Sequence, residues 1–538
     1  MKKVVILGAG IAGLTVAHEL IRSGRDDDIH IYDKKSVIGG MARSGVKKKN
    51  NTPLPTEYSW RIYGPNYHNL RDIFKQIPLI NDPNKTVHDN LIDIHDYLIA
   101  DKQTIFHMNN RPKTLWEMRR AFRGIPFKQK WRVIRKIIYC VMISTERLNH
   151  MDNLTWNDYI DPDRSLCHDM RKYIIDIMGP FLGVEVLRVN VPSTIKTLES
   201  FKLLNRPISV MNGPTNEAWF EHWQAYLKHC GVIFHLDHEV TDIHTEGDRV
   251  THVMIANSEI SGDIFFCCLP VDSVAKIPSL SSPEIVELAQ NGYQLMVGMQ
   301  LYFDKKIVMP SNHTAMYIPD SPWQLVIEPQ GAIWNKTYVD AADVWSVGLC
   351  DPSRPGLFIK KPFIHCSHEE IQQEVWYQIT HSELGDYLLL NTVQVIDYNV
   401  WDTYRFNGHA LETDEPKFST NKGTWFLRPN NKTRFNNLYF AAAYTKTETD
   451  MFEMESAAES GRRAAKLIEK SVHIIPSHRP QLFAFYRNLD AILKPLNLYR
   501  YVTLGWFFLG LPFAALYGFG AIAVQKIRLN FLNVKLKA

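Results

Sequence analysis

The chain opens on a strand, a turn and a helix: KKVVILGAGIAGLTVAHELIRSG, residues 2–24. Val4 to Leu7 is a continuous apolar run, as a strand buried on both faces of a parallel sheet requires. Gly8-x-Gly10-x-x-Gly13 follows at once, and Leu14, Ala17 and Ile21 then recur at helical spacing. IHIYD (29–33) reads as a second strand ending in an acid, and Asp33 stands 20 residues after Gly13. Gly8 permits the tight turn, Gly10 lets backbone approach a pyrophosphate, and Gly13 lets helix and strand close on each other. The helix start offers free N–H groups and a positive dipole end to the phosphates. Asp33 is placed to accept from ribose hydroxyls, with Ala12 and Lys34 bordering the same site. The reading is a dinucleotide-binding βαβ unit.

At 538 residues the chain is too long for one simple core, so two consecutive or interleaved domains are expected. A net charge of +4 is weak over this length and gives no reason to expect a nucleic acid partner. The seven cysteines, at 140, 167, 230, 267, 268, 350 and 366, include no CxxC pair. They read as reduced structural thiols in a reducing, cytoplasmic-type compartment, without a metal site. The N-terminus carries no signal peptide pattern, because glycines interrupt the first apolar run.

The C-terminus differs. Tyr501 to Gln525 holds no charge and is bounded by Arg500, Lys526 and Arg528. As a helix it would run about 37 Å at 1.5 Å per residue, enough for a bilayer core. The expectation is a single-pass or monotopic anchor, of unreadable orientation. A second stretch, 113–142, carries nine Lys or Arg among aromatics and reads either as a membrane-surface element or as a solvated basic helix pair.

After Asp33 comes KKSVIGGMARS (34–44), with Gly39-Gly40 and Arg43 three residues on. This segment resembles the one following the second strand in the flavin amine oxidase and carotene desaturase superfamily. There the glycine turn and the basic residue lie against the FAD pyrophosphate. EYSWRIYG (57–64), PNYHNLRDIFKQIP (65–78) and MGPFLGVE (178–185) are also similar to superfamily segments. NNLYFAAAYTKTETDMFEMESAAESGRRAA (436–465) resembles its last motif, a strand leading to a helix that starts at Met-Glu. Ala442 takes the place of the usual Gly, and Ala443 that of the usual Asp.

The resemblance covers roughly residues 1–470 and is closer to the desaturase branch. It implies a Rossmann-type α/β FAD-binding domain interleaved with an α+β substrate domain, followed by the apolar helical tail. The expected division is 1–70, 213–275 and 431–470 for FAD binding, 71–212 for a mostly helical substrate- or membrane-facing part, 276–430 for the substrate-domain sheet and helices, and 471–538 for the tail with its apolar segment 501–525. The implied cofactor residues are Gly8, Gly10, Ala12, Gly13, Asp33, Lys34, Gly39, Gly40, Met41, Ala42, Arg43, Val240, Ala443, Met454 and Glu455. Arg61, Tyr63 and Tyr444 are the candidates for residues near the flavin face. The implied activity is FAD-dependent oxidation or desaturation of an apolar isoprenoid or lipid-like substrate, with quinone or oxygen as electron acceptor. Amine oxidation is the alternative reaction, and a decayed flavoprotein scaffold the non-enzyme alternative.

Overall fold

The computed structural model describes residues 1–49, 52–58, 61–101, 104–109, 122–200, 208–336, 338–451, 453–477, 479–497, 505 and 507–517. The opening strand, Lys3–Leu7, is the centre of a five-stranded parallel sheet. Its neighbours are Asp28–Tyr32 on one side and Ile264–Cys267 on the other. Ile233–His235 and Leu438–Phe440 form the edges. Val4 to Leu7 are fully buried because helices or the meander cover both faces. The first helix, Ile11–Arg22, is buried along Ile11 to Leu20. A sheet on one side cannot bury it so completely. The helix Met454–Ile468 covers its other side.

That contact explains the small residues of the late helix. Gly461 lies against Ala12 and Thr15, and Ala458, Ala464 and Ala465 are buried in the same core. Arg462 is buried beside them. Its Nε donates to Glu19 at 2.7 Å, one terminal nitrogen to Asp72 at 2.6 Å and the other to the Asn69 side-chain Oδ1 at 3.1 Å. A buried cation is tolerable only with such partners.

A seven-stranded sheet forms the second layer, in the order Val395–Val400, Val297–Phe303, Asp343–Leu349, Val326–Glu328, Thr314–Tyr317, Asp96–Asp101, Thr104–Asn109. All residues of Val297–Phe303 and Asp343–Leu349 are buried, so both faces are covered. Met299, Leu301, Trp345 and Val347 pack with Ile371, Val375 and Ile379 of the helix His368–Thr380. Tyr302 and Val344 point the other way, against Ile208 and Trp334. A three-stranded meander spans Val240–Ser261.

One expectation needs correction, and a second falls largely outside the described residues. The stretch 71–212 is not helical throughout. Short strands run from Pro78 to Asp93, and Asp96–Asp101 and Thr104–Asn109 end the large sheet. Helices dominate only from Phe127 to Ser200. The continuous apolar run Tyr97, Leu98, Ile99 and Ala100 is buried by its neighbouring strands, a short run that local pattern alone does not distinguish from a buried helix. Of the tail, residues 501–504, 506 and 518–525 lie outside the described residues, and 507–517 is helical. Among the described residues no helix is long and apolar enough to cross a membrane.

Candidate cofactor and substrate site

A cleft of about 350 Å³ runs from the carboxyl ends of the parallel strands to the large sheet and the short helix Met178–Leu182. A parallel sheet leaves its ligand crevice at that end, where neighbouring crossovers diverge.

Four glycines shape its floor. Gly8 has φ +111°, and a Cβ there would stand 2.9 Å from the Cys268 carbonyl oxygen. Gly39, at φ +106°, donates its N–H to Ala9. Gly40 stacks on Gly10, its missing Cβ position only 3.2 Å from the Gly10 Cα. Two turns therefore meet backbone to backbone. Gly13 does not line the cleft. Its Cβ position is 2.0 Å from the Gly8 carbonyl oxygen, so it serves the close helix–strand packing.

Two helices begin at this cleft, each without a side-chain cap. Gly10 precedes Ile11–Arg22 and Glu453 precedes Met454–Ile468. Their first-turn N–H groups and dipoles favour negative charge. Ala12, Met454 and Ala457 line the cleft there. Asp33 accepts from the Ala9 and Lys35 N–H groups, at 2.7 and 2.9 Å, and burial raises its carboxyl above the usual range. Its two oxygens keep lone pairs for a ribose diol. Lys34, Gly39, Met41, Ala42, Val240, Ala443 and Tyr444 also line the cleft. These residues fit a dinucleotide: small backbone turns, two uncapped helix starts and one acid.

Three expected residues stand elsewhere or are otherwise engaged. Tyr63 is buried among Tyr67, Phe74 and Trp219 and is not part of the cleft wall. Glu455 turns away from it. Its oxygens accept from the N–H groups of Asn69 and Leu70, at 2.8 and 2.9 Å, and so cap the helix His68–Phe74. Its assignment as a cofactor ligand is therefore corrected to a helix cap. Arg43 lines the cleft, but its guanidinium donates to both Glu415 oxygens at 2.9 Å and to the Gly40 carbonyl at 2.8 Å. Lys35 reaches the same carboxylate at 2.9 Å. Burial opposes the charge on Glu415, and Arg43 and Lys35 outweigh it, holding the group below its usual range.

The far end of the cleft carries polar groups of which the sequence singled out Arg61 alone. Arg61 lines it and donates to the Met41 carbonyl at 2.8 Å. Behind Arg61 stand Glu57 and Glu328. Burial pushes Glu57 up to about 7, and burial with the neighbouring Glu57 pushes Glu328 up to about 8. Lys417 donates to the Gly183 carbonyl at 2.7 Å, and burial lowers its ammonium to about 8. Glu453 accepts from Asn66 at 3.1 Å, and burial with Glu455 nearby raises it to about 8. Glu453 could have been found in sequence, since it directly precedes the Met-Glu helix start. Lys417 stands in DEPKF, which has no local signature. Between these groups the wall is apolar, with Ile62, Pro180, Phe181, Leu182 and Met296.

The fold and the cleft define a two-layer nucleotide-binding protein whose redox cofactor would lie between the parallel sheet and the large sheet. The family model described as flavin containing amine oxidoreductase matches residues 11–468, and the chain belongs to that family. Membership makes it an FAD-dependent oxidoreductase. The zeta-carotene desaturase of Arabidopsis thaliana is 36% identical over 75 residues, 14% of this chain and 12% of the relative. The chain thus matches only about an eighth of that relative's length. An oxidoreductase from Methanosarcina mazei is similar in structure, with TM-score 0.56 and 13% identity over 87% of this chain and all of that one. Putrescine oxidase bound to putrescine gives TM-score 0.61 and 12% identity, covering 87% of this chain and 98% of that one. At such identities these structures speak for the fold alone.

Proposed function

We propose that the protein oxidises or desaturates an apolar, isoprenoid or lipid-like small molecule. One observation carries the reading: beyond the nucleotide cradle the cleft is walled by Ile62, Pro180, Phe181, Leu182 and Met296, with a few polar groups set around them. An apolar wall with few polar groups orients a hydrocarbon by burial. The matched segment of zeta-carotene desaturase supports the same direction. FAD, when bound, would supply hydride acceptance from a substrate C–H bond, with a quinone or oxygen proposed as the onward electron acceptor.

The chain's own residues bind, orient and hold protons. Gly8, Gly10, Gly39 and Gly40 would bring backbone to the cofactor, Asp33 would take the ribose, and Val240 would border the nucleotide. Ala443 offers no carboxylate, so the binding there rests on backbone and the two helix starts. Arg61 and Tyr444 stand in the cleft wall. Lys417 and Glu453 can exchange a proton near neutral pH, which loss of a second substrate hydrogen requires. An apolar substrate also suits an enzyme attached to a membrane, in a reducing compartment.

The test is anaerobic mixing of the yellow holoenzyme with isoprenoid lipids and, separately, with amines. Bleaching of the flavin by the lipids alone is expected. Bleaching by amines alone overturns this reading in favour of amine oxidation.

A further inference from the structure

The helix Phe127–Met142 has two apolar faces. Val133, Ile137, Cys140 and Val141 face the core of the helical layer. Phe127, Trp131, Ile134, Ile138 and Met142 follow one another at intervals of three or four and form a second stripe on a different side. This second stripe is covered at its C-terminal end alone, where Ile138 and Met142 meet Tyr486, Phe507 and Ala514. Toward the N-terminus it continues bare: Phe127 is 79% exposed, and Trp131 and Ile134 are exposed too. The covering segment, 507–517, contains no charged residue. It turns outward Phe508, Leu509, Phe513 and Leu516, the last three 71%, 64% and 70% exposed. Two adjoining elements thus hold seven large apolar side chains in water. Soluble surfaces seldom tolerate that without an occupant.

The charges identify the occupant. The helix Phe127–Met142 has five Lys or Arg and no acid. Arg132 turns back to Asp161 at 3.0 Å, and Lys136 to the Tyr159 carbonyl. Lys128, Lys130 and Arg135 flank the bare stripe. We infer that this face docks on an anionic bilayer, the apolar side chains entering the headgroup boundary and the three cations meeting lipid phosphates and carboxylates. Trp131 is suited to that depth. A second copy of the chain fits less well, because a two-fold contact sets the same cations against each other. The inference deepens the membrane attachment proposed above and is independent of the redox reading.

The test is flotation of full-length, FAD-loaded protein with vesicles of phosphatidylcholine, with and without phosphatidylserine. Binding should favour the anionic vesicles and weaken with salt. Combined Lys128→Gln, Lys130→Gln and Arg135→Gln should lower partitioning roughly fivefold per charge. Combined Trp131→Ser, Leu509→Ser and Phe513→Ser should lower it at least ~10-fold on both vesicle types. Unchanged flavin absorbance and Tm show that each variant folds. Undiminished flotation of both variants places the attachment elsewhere in the chain and overturns the inference. So does a wild type that ignores vesicles but forms, by light scattering, a dimer that the serine variant dissolves.

Discussion

Gly461 lies directly against the backbone of Ala12. A Cβ at Gly461 would stand 2.7 Å from the Ala12 carbonyl oxygen and 2.7 Å from the Thr15 Cβ. Two helices whose contacting residues lie 449 positions apart in the chain close to backbone contact there. Gly461→Ala must push them apart. We expect a loss of about 1–3 kcal/mol, the usual cost of overpacking, read as a lower Tm together with weaker flavin retention. An unchanged Tm would mean that the two helices adjust freely.

Gly10 and Gly13 separate ligand contact from folding. A methyl at Gly10 meets nothing nearer than the Gly40 Cα at 3.9 Å, so Gly10→Ala should fold. It should bind FAD at least ~10-fold more weakly, about 1.4 kcal/mol, because the methyl occupies the phosphate approach. Gly13→Ala puts a methyl 2.0 Å from the Gly8 carbonyl oxygen and should yield little folded protein. Titration of apoprotein with FAD and circular dichroism separate the two outcomes.

Glu455 should matter to stability more than to cofactor contact. Glu455→Ala leaves the buried N–H groups of Asn69 and Leu70 without an acceptor, at about 1–3 kcal/mol for each group left unsatisfied. A fall in Tm with flavin spectrum unaltered is expected. A shifted flavin spectrum at unchanged Tm would return Glu455 to the cofactor.

Buried carboxyls make stability fall with rising pH. Glu328 is raised from 4.5 to about 8, chiefly by burial. Between those values the native state keeps a proton that the unfolded chain releases, so unfolding gains as pH rises. This group's contribution is complete below about 4.5 and is lost by about 8. Glu328→Gln should flatten the decline of Tm across that window. An equally steep decline in the variant assigns the effect to Glu57 or Glu453.

Lys417 predicts a second pH dependence, in turnover. Its ammonium is lowered to about 8, so the neutral amine grows through that pH. The rate of anaerobic flavin reduction should rise with a midpoint near 8, and Lys417→Met should remove the rise and cost about 10²-fold or more at high pH. A profile that Lys417→Met leaves intact confines the lysine to holding the Gly183 carbonyl.

Much of this molecule is legible in sequence where local chemistry and global fold agree. Val4 to Leu7, the three glycines and Asp33 are such a case, since the turn they form needs little from the rest of the chain. The late helix was legible through its small residues, whose purpose required a partner surface. Lys417, Glu415 and Glu328 were not legible. Each owes its role to residues far away in the chain, as Glu415 does to Arg43, 372 positions before it. Tyr97 to Ala100 were misread because neighbouring strands at 104–109 and 314–317, rather than local pattern, make them sheet. Glu455 shows a third kind of limit: a motif position can be recognised while its side chain serves the scaffold beneath the ligand.

The parallel sheet draws its edge strand Leu438–Phe440, and the helix that follows, from the last hundred or so residues of the chain. During synthesis the N-terminal βαβ unit is therefore made long before the pieces that cover it. Throughout that interval the side of the first helix at Ala12 and Thr15 is bare and adhesive. Such distant pairing is slow and exposes intermediates to aggregation. Early folding should accordingly lean on chaperones, and a chain interrupted before residue 438 should be cleared by proteolysis instead of surviving as a half-built nucleotide domain.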